Sequence, residues 1–275
     1  MPELPEVAAT VAAIAGVEGQ TLIDQTLPQG RQRQVLLQDP SVALGARWGA
    51  PTRRGKYVLC PWTTERGEAL GLIVHLGMSG QLKWCPTGTP PPVRHVRASW
   101  TLNGGTLAFV DPRRFGRVHL IEGPPQGLTK LSSLGPDADS EALTLPLFRA
   151  TLRRSRAAIK RLLLDQHALA GVGNIYADES LFRAKIHPLT VANQISNPKS
   201  RALHRHLQLV LREAIQRKGT SFDQHFEGGA MQGHLQAYGR RGLPCVRCGQ
   251  AMKFMRVSMR GTHFCSRCQR RRGGR

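Results

Sequence analysis

The chain has 275 residues, and its 39 Lys and Arg against 18 Asp and Glu give a formal net charge of +21. That length accommodates two domains, or two and a small module, and the charge calls for a polyanionic partner, nucleic acid before any other. Membrane readings are disfavoured: no basic helix carries bulky aromatics on an apolar face, and the longest apolar run, Ala69 to Met78, is broken by His75 and too short to span a bilayer.

The first element starts almost at once, in Met1-Pro2-Glu3-Leu4-Pro5-Glu6-Val7. Pro5 and Glu6 suit the first turn of a helix, where a missing N–H costs nothing and negative charge favours the dipole. The Ala-rich run to Val17 continues that helix, and Gly16 or Gly19 ends it. The same residues carry a second meaning. Once methionine is removed, Pro2 becomes a secondary amine, and an α-amino group with a pKa of about 7.7–8.0 is partly unprotonated near neutrality. Beside Glu3 it would be a nucleophile next to its proton donor and acceptor. The alternative is a ragged terminus whose Pro5 merely starts a helix. Glu3 and Glu6 stand where a secretory leader carries basic residues, so an intracellular, reducing setting is expected, with its cysteines outside disulfides.

From Thr21 to Leu120 the pattern changes to short β-type runs broken by Gly and Pro: Gln34–Leu37, Tyr57–Cys60, Ala69–Leu76, Ala98–Leu102, Thr106–Val110 and Arg117–Ile121. Asn103-Gly104-Gly105 is a strong hairpin signal between two of them. The region reads as a mostly antiparallel sandwich or barrel. Glu122-Gly123-Pro124-Pro125-Gln126-Gly127 is the linker candidate, because proline and glycine together defeat helix and strand.

After it, helices are expected at about Leu145–Arg154, Ala157–Gln166, Asn174–Lys185 and Pro198–Lys218. Ala170-Gly171-Val172-Gly173-Asn174 leads into a helix N-terminus, and such a turn either presents N–H groups to an anion or simply joins two packed helices. Thr220 to Gly239 is polar and glycine-rich, a loop whose length suggests function.

Cys245-Val246-Arg247-Cys248 and Cys265-Ser266-Arg267-Cys268 are two C-x-x-C knuckles sixteen residues apart. The spacing fits one zinc ion, held tetrahedrally by all four thiolates, that folds a segment too small to hold itself by apolar burial. Cys60 and Cys85 lack partner spacing and read as buried or incidental thiols. A zinc ribbon fixes a partner class, and does not by itself separate an enzyme from a binding module.

The motifs occur in one order: Pro2-Glu3-Leu4-Pro5-Glu6-Val7, Gly55-Lys56-Tyr57, His75-Leu76-Gly77-Met78-Ser79-Gly80, Asp111-Pro112-Arg113-Arg114-Phe115-Gly116, Gly171-Val172-Gly173-Asn174-Ile175-Tyr176-Ala177, Tyr238-Gly239-Arg240, then the ribbon. Over essentially the whole chain this resembles the bacterial formamidopyrimidine-DNA glycosylases, enzymes that remove oxidised purines such as 8-oxoguanine. The resemblance implies an α+β multidomain fold. Residues 2–122 would form a catalytic two-layer β-sandwich with an N-terminal helix, and 123–130 a linker. Residues 131–240 would form a helix-two-turns-helix domain with the lesion-capping loop, and 241–275 a zinc-ribbon finger with a basic tail.

It also implies roles. Pro2 would attack the sugar C1′ and Glu3 would act as acid and base, with Lys56 and Arg260 completing the catalytic set. His75, Met78, Arg113, Phe115, Lys160, Asn174 and Tyr238 would contact DNA: Met78, Arg113 and Phe115 by filling the void left by a flipped nucleotide, Lys160, Asn174 and Tyr238 at phosphates. The metal ligands would be Cys245, Cys248, Cys265 and Cys268. Damaged duplex DNA is the partner implied, bound by a monomer in the cytoplasm at the nucleoid. The loop after Thr220 departs from the family in being shorter, with Met231 where an aromatic is expected. Two other readings stand beside this one: an endonuclease VIII-like glycosylase for oxidised pyrimidines, and a non-catalytic zinc-ribbon DNA-binding protein.

Overall fold

The computed structural model describes residues 2–28, 30–35, 37, 39–221 and 228–271. Three features of the sequence reading, Met1, the loop residues 222–227 and the tail from Arg272, lie outside the described residues. The chain divides into two compact units, Met1–Ser133 with Thr220–Gly229, and Leu134–Gly219 with Ala230–Arg275.

In the first unit, helix α1 (Leu4–Ala13) starts where Glu3 is extended and Pro5 occupies the first turn. A 3-10 turn at Ala15–Val17 follows, and Gly19, at φ 78°, takes the left-handed conformation that turns the chain away. Among the described residues ten strands come next: β1 (Leu22–Thr26), β2 (Arg33–Val35), β3 (Arg47–Trp48), β4 (Thr52–Arg54), β5 (Tyr57–Thr63), β6 (Ala69–His75), β7 (Gln81–Pro86), β8 (Val96–Leu102), β9 (Gly105–Val110) and β10 (Arg117–Glu122). One sheet is antiparallel in the order β1-β8-β9-β7. The other runs β2-β10-β6-β5-β3 with β4 on β5, and β2 lies parallel to β10.

The architecture is therefore the two-layer sandwich, and its core explains the burial patterns. Inward and outward residues alternate along β8, as in a sheet with one solvated face, whereas β6 is buried on both. Trp48 and Trp62 are cross-strand partners with ring centroids 4.7 Å apart, and Trp100 meets Trp48 edge-on at 6.3 Å. The Asn103-Gly104 turn closes the β8–β9 hairpin as its sequence requires, since Leu102 pairs with Gly105. Strands β1, β3 and β4, absent from the sequence expectation, are short or largely polar edge strands; β7, also absent, is an edge strand in which Gln81 and Lys83 interrupt the apolar residues.

The Pro/Gly segment read as a linker is packed. Pro125 is buried in a 3-10 turn, and its backbone sits so close to β6 that a Cβ on Gly71 would fall 2.7 Å from the Pro125 Cα. Helix α2 (Thr129–Ser132) then ends the continuous part of this unit.

The second unit contains α3 (Leu145–Arg154), α4 (Ile159–Leu164), α5 (Asn174–Arg183) and α6 (Asn197–Gln216), then the hairpin β11 (Lys253–Val257) and β12 (Arg260–Phe264). Helix α4 is shorter than its apolar pattern suggests. Ala158 bridges Val191 and the Ala157 carbonyl accepts from the Ala192 amide, which holds these residues extended. At the other end, the Gln166 side chain donates to Leu164 and Val172 carbonyls and accepts from the Gly171 amide, fastening the glycine turn that leads into α5.

Candidate active site and nucleic-acid interface

At the start of the first unit Pro2 is half-buried and Glu3 is 2% exposed. The Glu3 amide donates to Glu6 Oε2 at 2.9 Å, which fixes the backbone that carries both candidate catalytic groups. Glu6 is itself buried, and its Oε1 accepts from the Thr220 amide at 2.7 Å and the Thr220 hydroxyl at 3.1 Å. The sequence reading assigns Glu6 only a dipole role. An acid three residues after the helix cap is the signal that finds it, since that position reaches back to the cap amide.

Lys56 sits in the turn between β4 and β5, after Gly55 at φ 56°. It is 7% exposed, so its side chain is buried and not solvated. Across the β5–β6 pair, Tyr57 faces His75, with ring centroids 4.9 Å apart. The Gly77 amide donates to His75 Nδ1 at 3.1 Å, so the neutral ring carries its proton on Nε2. Burial pushes the His75 pKa down to about 4, helped by the charges of Lys56, Arg117, His119 and Lys130. The ring is therefore neutral at physiological pH.

Met78, Arg113 and Phe115, the candidate void-filling residues, stand on two loops joined by one buried carboxylate. Asp111 Oδ1 accepts from the Ser79 hydroxyl at 2.7 Å; Oδ2 accepts from the Gly116 amide at 2.8 Å and from Gln32 Nε2 at 3.0 Å. Ser79 accepts in turn from the Arg113 amide at 3.3 Å. The loops approach so closely that a Cβ on Gly77 would lie 2.5 Å from the Phe115 carbonyl carbon. Raised on this base, Phe115 is 50% exposed, Arg113 holds its guanidinium 5.1 Å above the Phe115 ring, and Met78 is half-buried. Neither apolar residue is buried in the core. Asp111 carries no role in the sequence motif, because its partners at 32, 79 and 116 come together only in the fold.

In the second unit, Asn174 is the first residue of α5 and donates through Nδ2 to the Gly261 carbonyl at 3.0 Å. Arg260, exposed at the start of β12, precedes that glycine. Tyr238 stands edge-on to His263 at 5.0 Å. Its backbone is held by Glu179, a buried carboxylate whose Oε1 accepts from the amides of Gln236, Ala237 and Tyr238. Such a row of amides forms a nest for an anion, here an internal one. Burial raises the Glu179 pKa, and these bonds work against that shift.

Lys160 requires a correction. Expected at a phosphate, it is fully buried, and its Nζ donates to Asp178 Oδ1 at 2.6 Å, Thr262 Oγ1 at 2.9 Å and the Gly261 carbonyl at 3.0 Å. Three acceptors use the three N–H bonds of an ammonium, so this lysine binds protein where a ligand was expected. Met231, expected in the lesion loop, is likewise fully buried in a 3-10 turn.

The four ribbon sulfurs all lie within 4.8 Å of one another, with Cys245 to Cys268 at 3.9 Å and Cys248 to Cys265 at 3.6 Å. A tetrahedral zinc with Zn–S bonds of about 2.3 Å separates its sulfurs by about 3.8 Å, so the donor set and its spacing fit one zinc ion. The Arg247 and Cys268 amides donate to Cys245 and Cys265 sulfurs, as befits thiolates. Arg247 also stacks on Phe182 at 4.4 Å and donates to its carbonyl at 2.7 Å, fastening the knuckle to α5. The zinc is structural: it holds the hairpin that carries Arg260.

Comparison with known proteins finds relatives along the chain. Three family profiles match: the formamidopyrimidine-DNA glycosylase N-terminal domain over residues 1–118, the H2TH domain of the same enzymes over 134–225, and the zinc finger found in FPG and IleRS over 242–271. The formamidopyrimidine-DNA glycosylase of Thermus thermophilus is 41% identical over 98% of both chains. Two solved Lactococcus lactis Fpg structures cover 98% of this chain and all of theirs. One, a complex with DNA containing N7-benzyl-Fapy-dG, has TM-score 0.88 at 35% identity, and the other, with abasic-site DNA, 0.86 at 33%. The chain is thus a DNA glycosylase of base excision repair, carrying a helix-two-turns-helix segment and a structural zinc ribbon. It belongs to the formamidopyrimidine-DNA glycosylase family.

Proposed function

We propose that the chain removes oxidised purines, formamidopyrimidines and 8-oxoguanine, from duplex DNA and then nicks the abasic site. The observation that carries this reading is the chain start, where buried Glu3 directly follows Pro2 and has its amide held by Glu6. The Pro2 amine, once freed of methionine, attacks the sugar C1′ and displaces the base, while Glu3 protonates the ring oxygen. A secondary amine gives an iminium that is cationic without a proton. That charge draws electrons from C2′, acidifies its hydrogens and allows β- and δ-eliminations that break the two phosphate C–O bonds. Lys56 contributes positive charge beside neutral His75. Met78, Phe115 and Arg113 fill the vacated stack, and Asn174, Arg260 and Tyr238 hold phosphates. The Fapy-dG DNA in one Lactococcus complex supports a purine-type substrate, and the abasic-site DNA in the other supports action at the site left after base removal. The protein works as a monomer on nucleoid DNA in the cytoplasm.

Borohydride trapping on abasic-site duplex tests the chemistry. A covalent adduct located on Pro2, and lost in Pro2→Gly, is expected; an untrappable protein that still binds duplex would be a non-catalytic ribbon protein. Excision of 8-oxoguanine opposite cytosine should exceed excision of thymine glycol, and the reverse order would assign the endonuclease VIII-like specificity.

A further inference from the structure

Lys160 and Asp178 form a fully buried ion pair to which the chemistry above gives no task. Burying two charges is costly, and such a pair is poor evidence for stability in itself, so its bonding is informative. Asp178 Oδ1 takes Lys160; its Oδ2 accepts from the His263 amide at 2.8 Å. Lys160 reaches on to the Gly261 carbonyl and the Thr262 hydroxyl, and the Gly261 carbonyl also accepts from Asn174. Gly261, Thr262 and His263, the three residues after Arg260, are therefore each held by a side chain from α4 or α5. The turn before Arg260 is strained: Ser258 and Met259 are both left-handed, at φ 49° and 63°. Such backbone persists only where the surroundings over-determine it.

We infer that Asp178 is a positioning residue for DNA binding, which through Lys160 and the His263 amide sets the register of the ribbon hairpin on α5 and so fixes where Arg260 and Asn174 meet phosphate. The inference rests on the proposed phosphate role of Arg260. Zinc closes the far end of the hairpin, and the ion pair fixes the near end.

The test uses the zinc-loaded full chain and abasic-site duplex. Asp178→Asn keeps the volume and an acceptor for His263 but removes the charge that Lys160 needs, and should weaken binding roughly tenfold or more, the scale of one charge-assisted hydrogen bond. Because that variant leaves a buried ammonium unpaired, the apolar double variant Lys160→Met with Asp178→Leu serves as the second arm. Swapping a buried pair for apolar groups is often neutral for stability, so zinc content and melting temperature should stay near wild type. Affinity should stay low, with the salt slope flatter by about one phosphate, ~0.9 in log–log terms. In that background Arg260→Ala should cost almost nothing further, whereas in the wild type it should cost roughly tenfold. Restored affinity in the double variant, or an equal Arg260→Ala effect in both backgrounds, overturns the inference. So does a wild type indifferent to Arg260→Ala. A missing borohydride adduct would fail the catalytic reading alone, because duplex affinity still reports on the turn.

Discussion

Thr220 donates both its amide and its hydroxyl to Oε1 of Glu6, the residue whose other oxygen holds the Glu3 amide. One carboxylate thus ties the first residue of the expected lesion loop to the backbone of the candidate acid. Glu6→Gln replaces one acceptor oxygen with a donor that must face an N–H. A loss of about 1–3 kcal/mol in stability is expected, the cost of a buried group left unsatisfied, and base excision in single-turnover assays should slow while duplex affinity changes little. Denaturant melts and gel-based excision rates check both.

Asp111 joins the Met78 loop to the Arg113–Phe115 loop through Ser79, Gly116 and Gln32. Asp111→Asn keeps the shape and turns one acceptor oxygen into a donor facing donors. Extrusion of the lesion should suffer first. With 2-aminopurine beside the lesion, the fluorescence rise on binding should shrink, and excision should fall with it; an unchanged rise would show that the loops hold without Asp111.

Acid should destabilise the sandwich in a defined window. Burial, then nearby positive charge, lowers His75 and His119 from 6.5 to about 4. Between those values the unfolded chain binds more protons than the folded one, so stability is complete above pH 6.5 and is lost as pH falls towards 4. Melting temperatures across that range should show the decline, and His119→Gln should flatten it.

Removing zinc should loosen the knuckles at the far end of the hairpin, which the four thiolates close. Chelation, or Cys248→Ser, should abolish tight duplex binding, and zinc release measured colorimetrically should track the loss. Restoring zinc to the chelated protein should restore binding.

The sequence makes legible what is local. The two C-x-x-C knuckles, the Asn103-Gly104 turn and the Pro5 helix start each announce themselves within a few residues, and all appear as expected. What it hides is the set of acids whose partners are distant in sequence: Glu6 with Thr220, Asp111 with Gln32, Glu179 with Tyr238, Asp178 with His263. Lys160 misleads for the same reason. A lysine on a short helix looks solvated until the hairpin that covers it is known. Phe115 and Met78 could pass for core residues by type alone, and only the loops beneath them bring them to the surface.

All four tryptophans, Trp48, Trp62, Trp84 and Trp100, belong to the sandwich. Indole emission is therefore a private channel for that unit: it will follow acid unfolding of the sheets and stay silent while the ribbon melts. The Trp48–Trp62 pair, with ring centroids 4.7 Å apart and planes tilted by 30°, should add a near-ultraviolet circular dichroism band that vanishes when the sheets part. Indole emission thus follows the sheets in both the zinc and the histidine experiments, while zinc release reports on the ribbon.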